Sequence, residues 1–318
     1  MAGTGGRVWL VTGASSGFGR EIARAAIAAG DTVIGTARRT AAMADLVAAH
    51  PDRVEAIPLD LTEGDRIDAV AADLLARYGR VDVLVNNAGR THVGAFEETT
   101  DEDLRDLFEL HVFGPARLTR ALLPQMRRRG SGAVVNLSSV GGQLSFAGFS
   151  AYSATKAALE QLSEGLADEV ARYGVKVLIV EPGAFRTNLF GKDAARFSQE
   201  DPVYAEQVGA TRELVRGGDG TQPGDPAKAA AAILMALDAD ATPLRLALGG
   251  DAVDALTAHL DAVRTELTTW EPVSRGDGLR PGVRCPQRPN RAVPLSEFLP
   301  RAVRLPDGRP RRRHHAPA

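Results

Sequence analysis

The segment VTGASSGFGR, residues 11–20, decides the fold because it joins a short apolar run to an alanine-rich amphipathic stretch. Residues 7–11 are predicted to form a strand and residues 18–29 a helix, so the glycines fall in the turn between them. The N–H groups and dipole at the start of such a helix favour a bound anion such as a pyrophosphate. The glycines that permit a tight turn there, in the spacing T-G-x-x-x-G-x-G, are Gly13, Gly17 and Gly19.

Apolar runs and helical stretches alternate along the chain after this turn. The predicted strands are residues 7–11, 32–36, 53–58, 81–85, 133–137, 175–180 and 244–248. The predicted helices are residues 18–29, 41–49, 65–78, 101–129, 151–173, 226–238 and 251–268. This alternation is typical of βαβ units, and continuous apolar strands are typical of sheets covered by helices on both faces. The sequence therefore predicts an α/β fold with a doubly wound parallel sheet.

The composition is that of an ordinary globular protein, with 318 residues, 44% hydrophobic and 25% charged. No apolar run approaches the roughly 20 residues that cross a bilayer, and the N-terminus does not resemble a signal peptide, so we expect a cytoplasmic protein without a membrane partner. The single cysteine, Cys285, excludes an internal disulfide. No His/Cys/carboxylate cluster has the spacing of metal ligands, so we expect no metal.

The character of the sequence changes twice near its C-terminal end. Residues 184–225 are a mixed segment with scattered aromatic residues, and residues 277–318 hold ten arginines, three acidic residues and eight prolines. We expect one domain over residues 1–276 and a disordered tail over residues 277–318. Ten arginines could bind nucleic acid, but the tail lacks interleaved aromatics or a basic helix, which favours a flexible appendage and no nucleic-acid partner.

The end of the second predicted strand, TVIGTARR, bears on the identity of a nucleotide ligand. NAD sites usually place an acidic residue there to bind the ribose hydroxyls. Here Ala37 occupies that position, and Arg38 and Arg39 follow it. A guanidinium binds a phosphate through paired hydrogen bonds, so we expect NADP(H) to be preferred over NAD(H), which remains possible. The alternative is a pair of solvated arginines at the start of a helix.

The segment AYSATK, residues 151–156, places a phenol and an amine four residues apart. On a helix, Tyr152 and Lys156 would project from the same face. A neighbouring ammonium favours the phenolate, which is one way to make a proton donor that works near neutral pH. Taken alone, the pair is better explained as an exposed surface feature, so the rest of the chain has to decide.

Further motifs complete a pattern: NNAG at 86–89, NLSS at 136–139 and EPGAFRT at 181–187. With the glycine turn and the tyrosine–lysine pair, the set resembles the classical short-chain dehydrogenase/reductase family over roughly residues 7–270. The segment LRLALGGDAVDAL is similar to the branch called 17β-hydroxysteroid-dehydrogenase-like. The resemblance implies a single Rossmann-type domain, an NAD(P)-dependent oxidoreductase acting on CH–OH groups, and a homodimer or homotetramer built on helices 101–129 and 151–173.

The resemblance also implies roles for individual residues. Tyr152 matches the catalytic acid/base, Lys156 matches the lysine that binds the nicotinamide ribose and lowers the proton affinity of the tyrosine, and Ser139 matches the serine that hydrogen-bonds the substrate oxygen. This fits the chemistry, since hydride transfer to a carbonyl builds negative charge on oxygen that needs a donor and a proton. The implied cofactor-binding residues are Gly13, Ser15, Ser16, Gly17, Phe18, Gly19, Arg38, Asp60, Leu61, Asn86, Ala88, Gly89, Tyr152, Lys156, Pro182, Gly183 and Thr187.

One position departs from the family pattern. The family usually has an asparagine before V-x-G in the long helix, and its main-chain carbonyl helps hold a water that relays protons to the lysine. This chain has His111 there, in ELHVFGPARLTRALLP. Either the main-chain role is kept and the side chain is merely tolerated, or the imidazole joins the catalytic relay, since imidazole titrates near neutral pH.

Apolar residues follow both the serine and the proline–glycine turn. By resemblance, Leu144, Phe149, Phe185 and Phe190 wall the substrate pocket, and the segment of about 184–225 is a mobile lid. They predict a small hydrophobic ketone, aldehyde or alcohol as substrate, although they could equally pack the lid onto the core. The rival to an enzyme is a dinucleotide-binding regulator that keeps the fold without chemistry. Such a regulator need not keep Ser139, Tyr152 and Lys156.

Overall fold

A computed structural model of the chain describes residues 6–276. The predicted tail, with Cys285, lies outside the described residues. The chain divides into two compact units, residues 1–261 and 262–318. The described part of the second unit is residues 262–276, which are the C-terminal part of the helix Gly250–Ser274 and the two residues after it. The predicted domain boundary at residue 276 stays a prediction.

Strands and helices alternate throughout the described residues. Within residues 6–276 the strands are β1 (Val8–Thr12), β2 (Thr32–Ala37), β3 (Val54–Pro58), β4 (Val83–Asn86), β5 (Thr91–Val93), β6 (Gly132–Leu137), β7 (Val175–Pro182), β8 (Ala195–Phe197) and β9 (Arg245–Leu248). The α-helices in this range are α1 (Gly17–Ala28), α2 (Ala44–Ala49), α3 (Gly64–Tyr78), α4 (Asp101–Phe108), α5 (Gly114–Arg129), α6 (Ser150–Val170), α7 (Ala205–Gly217), α8 (Pro226–Asp238) and α9 (Gly250–Ser274).

The main sheet has seven strands, all parallel, in the order β3-β2-β1-β4-β6-β7-β9. This confirms the predicted α/β fold with a doubly wound parallel sheet. Successive side chains of a strand point to opposite faces, and β1 shows the result. Trp9 and Val11 belong to the apolar cluster on one face, with α1 and α8, whereas Val8 and Leu10 belong to the cluster on the other, with α3, α5 and α6. All the residues of β1 are buried, because helices cover both faces.

The structure departs from the sequence-based expectation in two connections. The predicted helix 101–129 is divided by a π-helical turn over Glu109–Phe113, which apolar periodicity does not reveal. Two three-residue strands, β5 and β8, pair in parallel outside the main sheet, with Thr91 opposite Ala195. Through this pair, the segment that follows β7 is fixed to the loop that follows β4. None of the helices found between residues 6 and 276 is long and apolar enough to span a membrane.

Candidate active site

A cavity of about 950 Å³ opens where β1, β2, β4, β6 and β7 end. Parallel strands bring their carboxyl ends to one edge, which is where open α/β sheets bind ligands. Most of the site residues predicted from the sequence line this cavity: Gly13, Ser15, Ser16, Gly17, Phe18, Arg38, Asp60, Leu61, Ala88, Gly89, His111, Ser139, Tyr152, Lys156, Pro182, Gly183, Phe185, Thr187 and Phe190.

The three glycine positions of the turn after β1 have no room for a side chain. Gly13 and Gly17 have φ of 66° and 53°, in the left-handed region that favours glycine. A Cβ on Gly17 would lie 3.1 Å from the Cβ of Thr187, and a Cβ on Gly19 would lie 2.4 Å from the Gly13 carbonyl oxygen. The turn therefore forms a bare backbone cradle at the start of α1, which fits the pyrophosphate of a dinucleotide.

Four predicted site residues do not line the cavity: Gly19, Asn86, Leu144 and Phe149. The expectation that Asn86 lines the cofactor pocket is corrected, because its amide is 3% exposed and donates to Asn136 Oδ1 at 2.8 Å inside the sheet. The next residue of the motif, Asn87, reaches the wall instead, and its amide donates to the Thr12 carbonyl at 2.8 Å. Asn86 is the last residue of β4 and pairs with Asn136 of β6, whereas Asn87 lies beyond the end of the strand.

One end of the cavity carries the two arginines that follow β2. Arg39 forms an exposed ion pair with Asp193 at 3.0 Å. Arg38 lines the same end, and among residues 6–276 its guanidinium has no hydrogen bond or ion pair, so it can accept an anion. The Asp60 carboxylate accepts from the main-chain N–H of Thr62 at 3.0 Å, which fixes the loop after β3 beside them.

Ser139, Tyr152 and Lys156 meet on one wall of the cavity. The Lys156 ammonium donates to the Leu137 carbonyl at 2.7 Å and lies 5.8 Å from the centroid of the Tyr152 ring. Ser139 Oγ accepts from the Gly141 N–H at 3.1 Å. A Cβ on Gly141 would lie 3.3 Å from Tyr152 Cε1 and 3.4 Å from Ser139 Oγ, so the phenol ring and the serine hydroxyl both border this residue.

Burial dominates the electrostatics of this wall. Burial raises the pKa of Tyr152 to about 12, and the nearby Ser139 hydroxyl offsets part of the rise. The Lys156 ammonium is directed to the Leu137 carbonyl, and the predicted lowering of the phenol pKa by the lysine stays a prediction. Burial lowers the pKa of Lys156 to about 8, and the negative charge of Glu160 opposes that change.

His111 lies at the centre of the π-helical turn, with both ring nitrogens hydrogen-bonded. Nε2 accepts from the Arg90 main-chain N–H at 3.2 Å, which places the ring proton on Nδ1. Nδ1 therefore donates to Thr155 Oγ1 at 2.8 Å, and that hydroxyl donates to the Tyr152 carbonyl at 2.7 Å. The ring also meets the Tyr152 ring edge-to-face at 5.7 Å. Burial, with the charge of Lys156, holds the pKa of His111 well below its ordinary value, so the imidazole is neutral.

Of the four predicted substrate residues, Phe185 and Phe190 line the cavity, whereas Leu144 and Phe149 do not. Phe190 lines the cavity and also packs, with Phe149, against a small apolar cluster that includes Val93 and Val208. Phe149 lies 6.0 Å from the Tyr152 ring, and Phe185 lies 5.1 Å from Phe18. These contacts show that the aromatic residues hold the 184–225 segment on the domain, whether or not they also contact a substrate.

Several cavity residues were not anticipated. Arg90 lines the wall and approaches Asp106 at 3.6 Å, and its Nε is buried without a partner among the described residues. Gln222, from the end of the 184–225 segment, also lines the cavity with its amide oxygen unpartnered in that same part of the chain. Arg90 directly follows the NNAG motif, which could have drawn attention to it, whereas no sequence signal marks Gln222.

The fold and this wall together define a dinucleotide-dependent oxidoreductase with a parallel Rossmann-type sheet. The sequence profile of the family described as short chain dehydrogenase matches residues 7–196. The chain belongs to the short-chain dehydrogenase family, and it is an NAD(P)-dependent dehydrogenase that acts on CH–OH groups.

Individual relatives agree with this assignment. A solved short-chain dehydrogenase from Streptomyces avermitilis is 80% identical, covers 86% of this chain and 99% of its own, and superposes with a TM-score of 0.82. Oxidoreductase BOA17 of Botryotinia fuckeliana is 34% identical over 84% of this chain and 98% of its own length. A metagenomic short-chain oxidoreductase solved in complex with NADP is 35% identical over 56% of this chain and 82% of its own, with a TM-score of 0.54.

The buried neutral state of His111 predicts a pH-dependent contribution to stability. A histidine whose pKa is lowered by folding stabilises the protein above its unfolded pKa, and that stability is lost as the pH falls below it. We expect the melting temperature of the wild type to fall more between pH of about 7.5 and about 5 than that of His111→Asn. Thermal denaturation followed by circular dichroism measures both. Substitution of the partly exposed His50 by asparagine is the matched control, and equal falls in wild type and His111→Asn would contradict the interpretation.

Proposed function

We propose that the chain is an NADP(H)-dependent oxidoreductase that interconverts a hydrophobic ketone or aldehyde and its alcohol, with Tyr152 as acid/base. The observation that carries the proposal is the meeting of Ser139, Tyr152 and Lys156 on the wall of a cavity that also contains the bare glycine turn. A dinucleotide-binding regulator without chemistry is not favoured, because such a protein has no need to keep these three side chains together.

The side chains on the wall have distinct tasks. NADP(H), when bound, carries the hydride. Ser139 Oγ accepts from the Gly141 N–H, so its own proton can be donated to the oxygen of the substrate, where negative charge develops during reduction. Tyr152, with a pKa of about 12, is protonated at neutral pH and can deliver a proton to the same oxygen. Lys156 donates one of its three N–H groups to the Leu137 carbonyl, which leaves two for the nicotinamide ribose.

The preference for NADP(H) rests on Arg38. Arg38 lines the end of the cavity beside the loop after β3, whereas the guanidinium of Arg39 is paired with Asp193. Ala37 leaves no carboxylate at the end of β2 that would repel a 2′-phosphate. The metagenomic relative solved with NADP supports the same choice.

The hydrophobic character of the substrate rests on the apolar side chains at the lid. Phe185, Leu189 and Phe190 all line the cavity. Apolar pockets discriminate weakly between related substrates, so the proposal extends to the class of substrate and not to one compound.

His111 acts in this proposal as a positioning residue. Both of its ring nitrogens already have partners, and the neutral ring connects the Arg90 main chain to Thr155 and so to the backbone of Tyr152. This arrangement supports the view that the side chain stabilises the wall and does not join a proton relay.

The proposed homodimer or homotetramer uses the long helices. Phe113, in the π-helical turn before α5, and Leu162, on α6, are 54% and 52% exposed. Large apolar side chains exposed on these elements support a contact with a second copy of the chain.

Replacement of the phenol tests the chemical step. We expect Tyr152→Phe to lower kcat/KM by about 10²- to 10⁴-fold, because it removes proton transfer and little else. The measurement is NADPH oxidation with a panel of ketones and aldehydes, and NADP+ reduction with the matching alcohols. Tyr173→Phe, at a half-buried tyrosine that does not line the cavity, is the control. Unchanged turnover in Tyr152→Phe would refute the proposed role.

Charge reversal at Arg38 tests the cofactor preference. We expect Arg38→Asp to reduce the ratio of kcat/KM with NADPH to that with NADH at least about 10-fold, since a charge-assisted hydrogen bond is replaced by repulsion. Arg39→Asp is the matched control and is expected to change the ratio less. A ratio that Arg38→Asp leaves intact would show that the 2′-phosphate is bound elsewhere.

The positioning role of His111 predicts the pH–rate profile of a variant. We expect His111→Asn to keep the wild-type shape of the profile of kcat/KM, because the imidazole of the wild type does not change charge near neutral pH. The profile is measured with the best substrate from the panel. Loss of one limb in the variant would instead place the imidazole in the proton relay.

A further inference from the structure

A cluster of charged side chains lies directly behind the catalytic wall and takes no part in the chemistry proposed above. Its centre consists of Glu160 on α6 and Glu181 at the end of β7, each only 2% exposed. Arg245, the first residue of β9, donates to Glu160 Oε2 at 2.9 Å and to Glu181 Oε1 at 3.4 Å. Arg245 is therefore hydrogen-bonded to both buried carboxylates, an arrangement that proteins maintain only with compensating partners.

Each carboxylate also binds a segment that carries part of the active site. Ser138, the neighbour of Ser139, donates to Glu160 Oε1 at 2.5 Å. Gln143, in the loop between Ser139 and Tyr152, donates to Glu181 Oε1 at 2.6 Å. Glu181 directly precedes the Pro182–Gly183 turn on the cavity wall. The cluster thus connects the ends of β6 and β7 to α6.

Glu160 follows Lys156 by four residues, so the two side chains share one face of α6. Lys156 is 5% exposed, and a buried ammonium needs a nearby negative charge to remain protonated. The charged groups that face Glu160 from the surrounding elements are Lys156 on its own helix, Glu181 from β7 and Arg245 from β9; Glu164 reaches the cluster through Arg245 at 2.6 Å. Glu160 lies beyond ion-pair distance of Lys156, and from one turn along α6 its negative charge raises the pKa of the ammonium against the effect of burial.

From this geometry we infer that Glu160 is a positioning residue for the reaction: held by Ser138 and Arg245, its carboxylate keeps Lys156 in the charged form and joins the two strand ends that carry the catalytic wall. The inference rests on the proposed function for the role of Lys156. Burial and Glu181 raise the pKa of Glu160 to about 7, so its carboxylate is ionised above that pH, where Lys156 begins to lose its proton.

The test compares Glu160→Gln with Glu164→Gln in the full-length protein. The glutamine at 160 keeps the size and an acceptor for Ser138 but removes the charge, so Lys156 loses its proton at lower pH. We expect the alkaline limb of the kcat/KM profile to move down by about one pH unit in Glu160→Gln. Glu164→Gln, one turn further along α6 and half-exposed, is expected to leave the limb in place. An identical limb in wild type and Glu160→Gln overturns the inference.

A second measurement separates this inference from the proposed function. The raised pKa of Glu160 means that the wild type loses stability as the pH rises from about 4.5 through about 7, and Glu160→Gln lacks this loss. The melting temperature of Glu160→Gln should therefore rise relative to that of the wild type as the pH increases from about 5 to about 8. A difference that stays constant overturns the inference even when no substrate is turned over. An absence of turnover in the wild type alone counts against the proposed function.

Ser138→Ala provides a variant that keeps the carboxylate. Loss of the donor makes ionisation of Glu160 less favourable, so the alkaline limb should move in the same direction as in Glu160→Gln, by less. Should Glu160→Gln fail to fold, a limb unchanged in Ser138→Ala overturns the inference.

Discussion

The hydrogen bond from the Lys156 ammonium to the Leu137 carbonyl is the contact on which the site depends. It joins the first turns of α6 to the last residue of β6 at 2.7 Å, between two residues that are each at most 5% exposed. A buried ammonium requires such an acceptor, since desolvation otherwise favours the neutral amine. The bond also sets the height of α6 along the sheet. Tyr152, one turn before the lysine, and Ser139, two residues after the carbonyl, therefore meet at the carboxyl edge of the strands.

The π-helical turn supports this wall from the side of the preceding helix. It brings the His111 ring into edge contact with Tyr152, and the ring hydrogen-bonds to the chain after β4 and to α6. Single π-helical turns are frequently found at functional sites, and here the extra residue per turn brings a buried polar side chain to the wall. Elements that are distant in sequence thus depend on one another: the loop after β4, the π-helical turn and the first turns of α6.

The fold could be predicted from the sequence much more completely than the site. Strands such as 175–180 and the helix 226–238 agree with the structure to within a few residues, because continuous apolar runs and helical periodicity are local signals. The strands β5 and β8 have only three residues each and no such signal. The glycine turn and the tyrosine–lysine pair could be located because short motifs carry them.

What could not be predicted depends on contacts between distant residues. Asn86 and Asn87 are adjacent in one motif, and which of them reaches the cavity depends on where β4 ends. The high pKa of Tyr152 follows from burial, which no motif records. Arg245 is 85 residues from Glu160 and 64 from Glu181, so sequence spacing gave no reason to join them.

The close packing of the carboxylate cluster has a consequence for engineering this enzyme. A Cβ on Gly142 would lie 1.9 Å from Glu160 Oε1 and 2.6 Å from Ser138 Oγ. A mutant library that diversifies the loop between the serine and the tyrosine can therefore vary Leu144, which is half-buried, and Ser145, which is exposed. Any side chain at position 142 requires the charged cluster to rearrange, so the glycine codon there is best held constant.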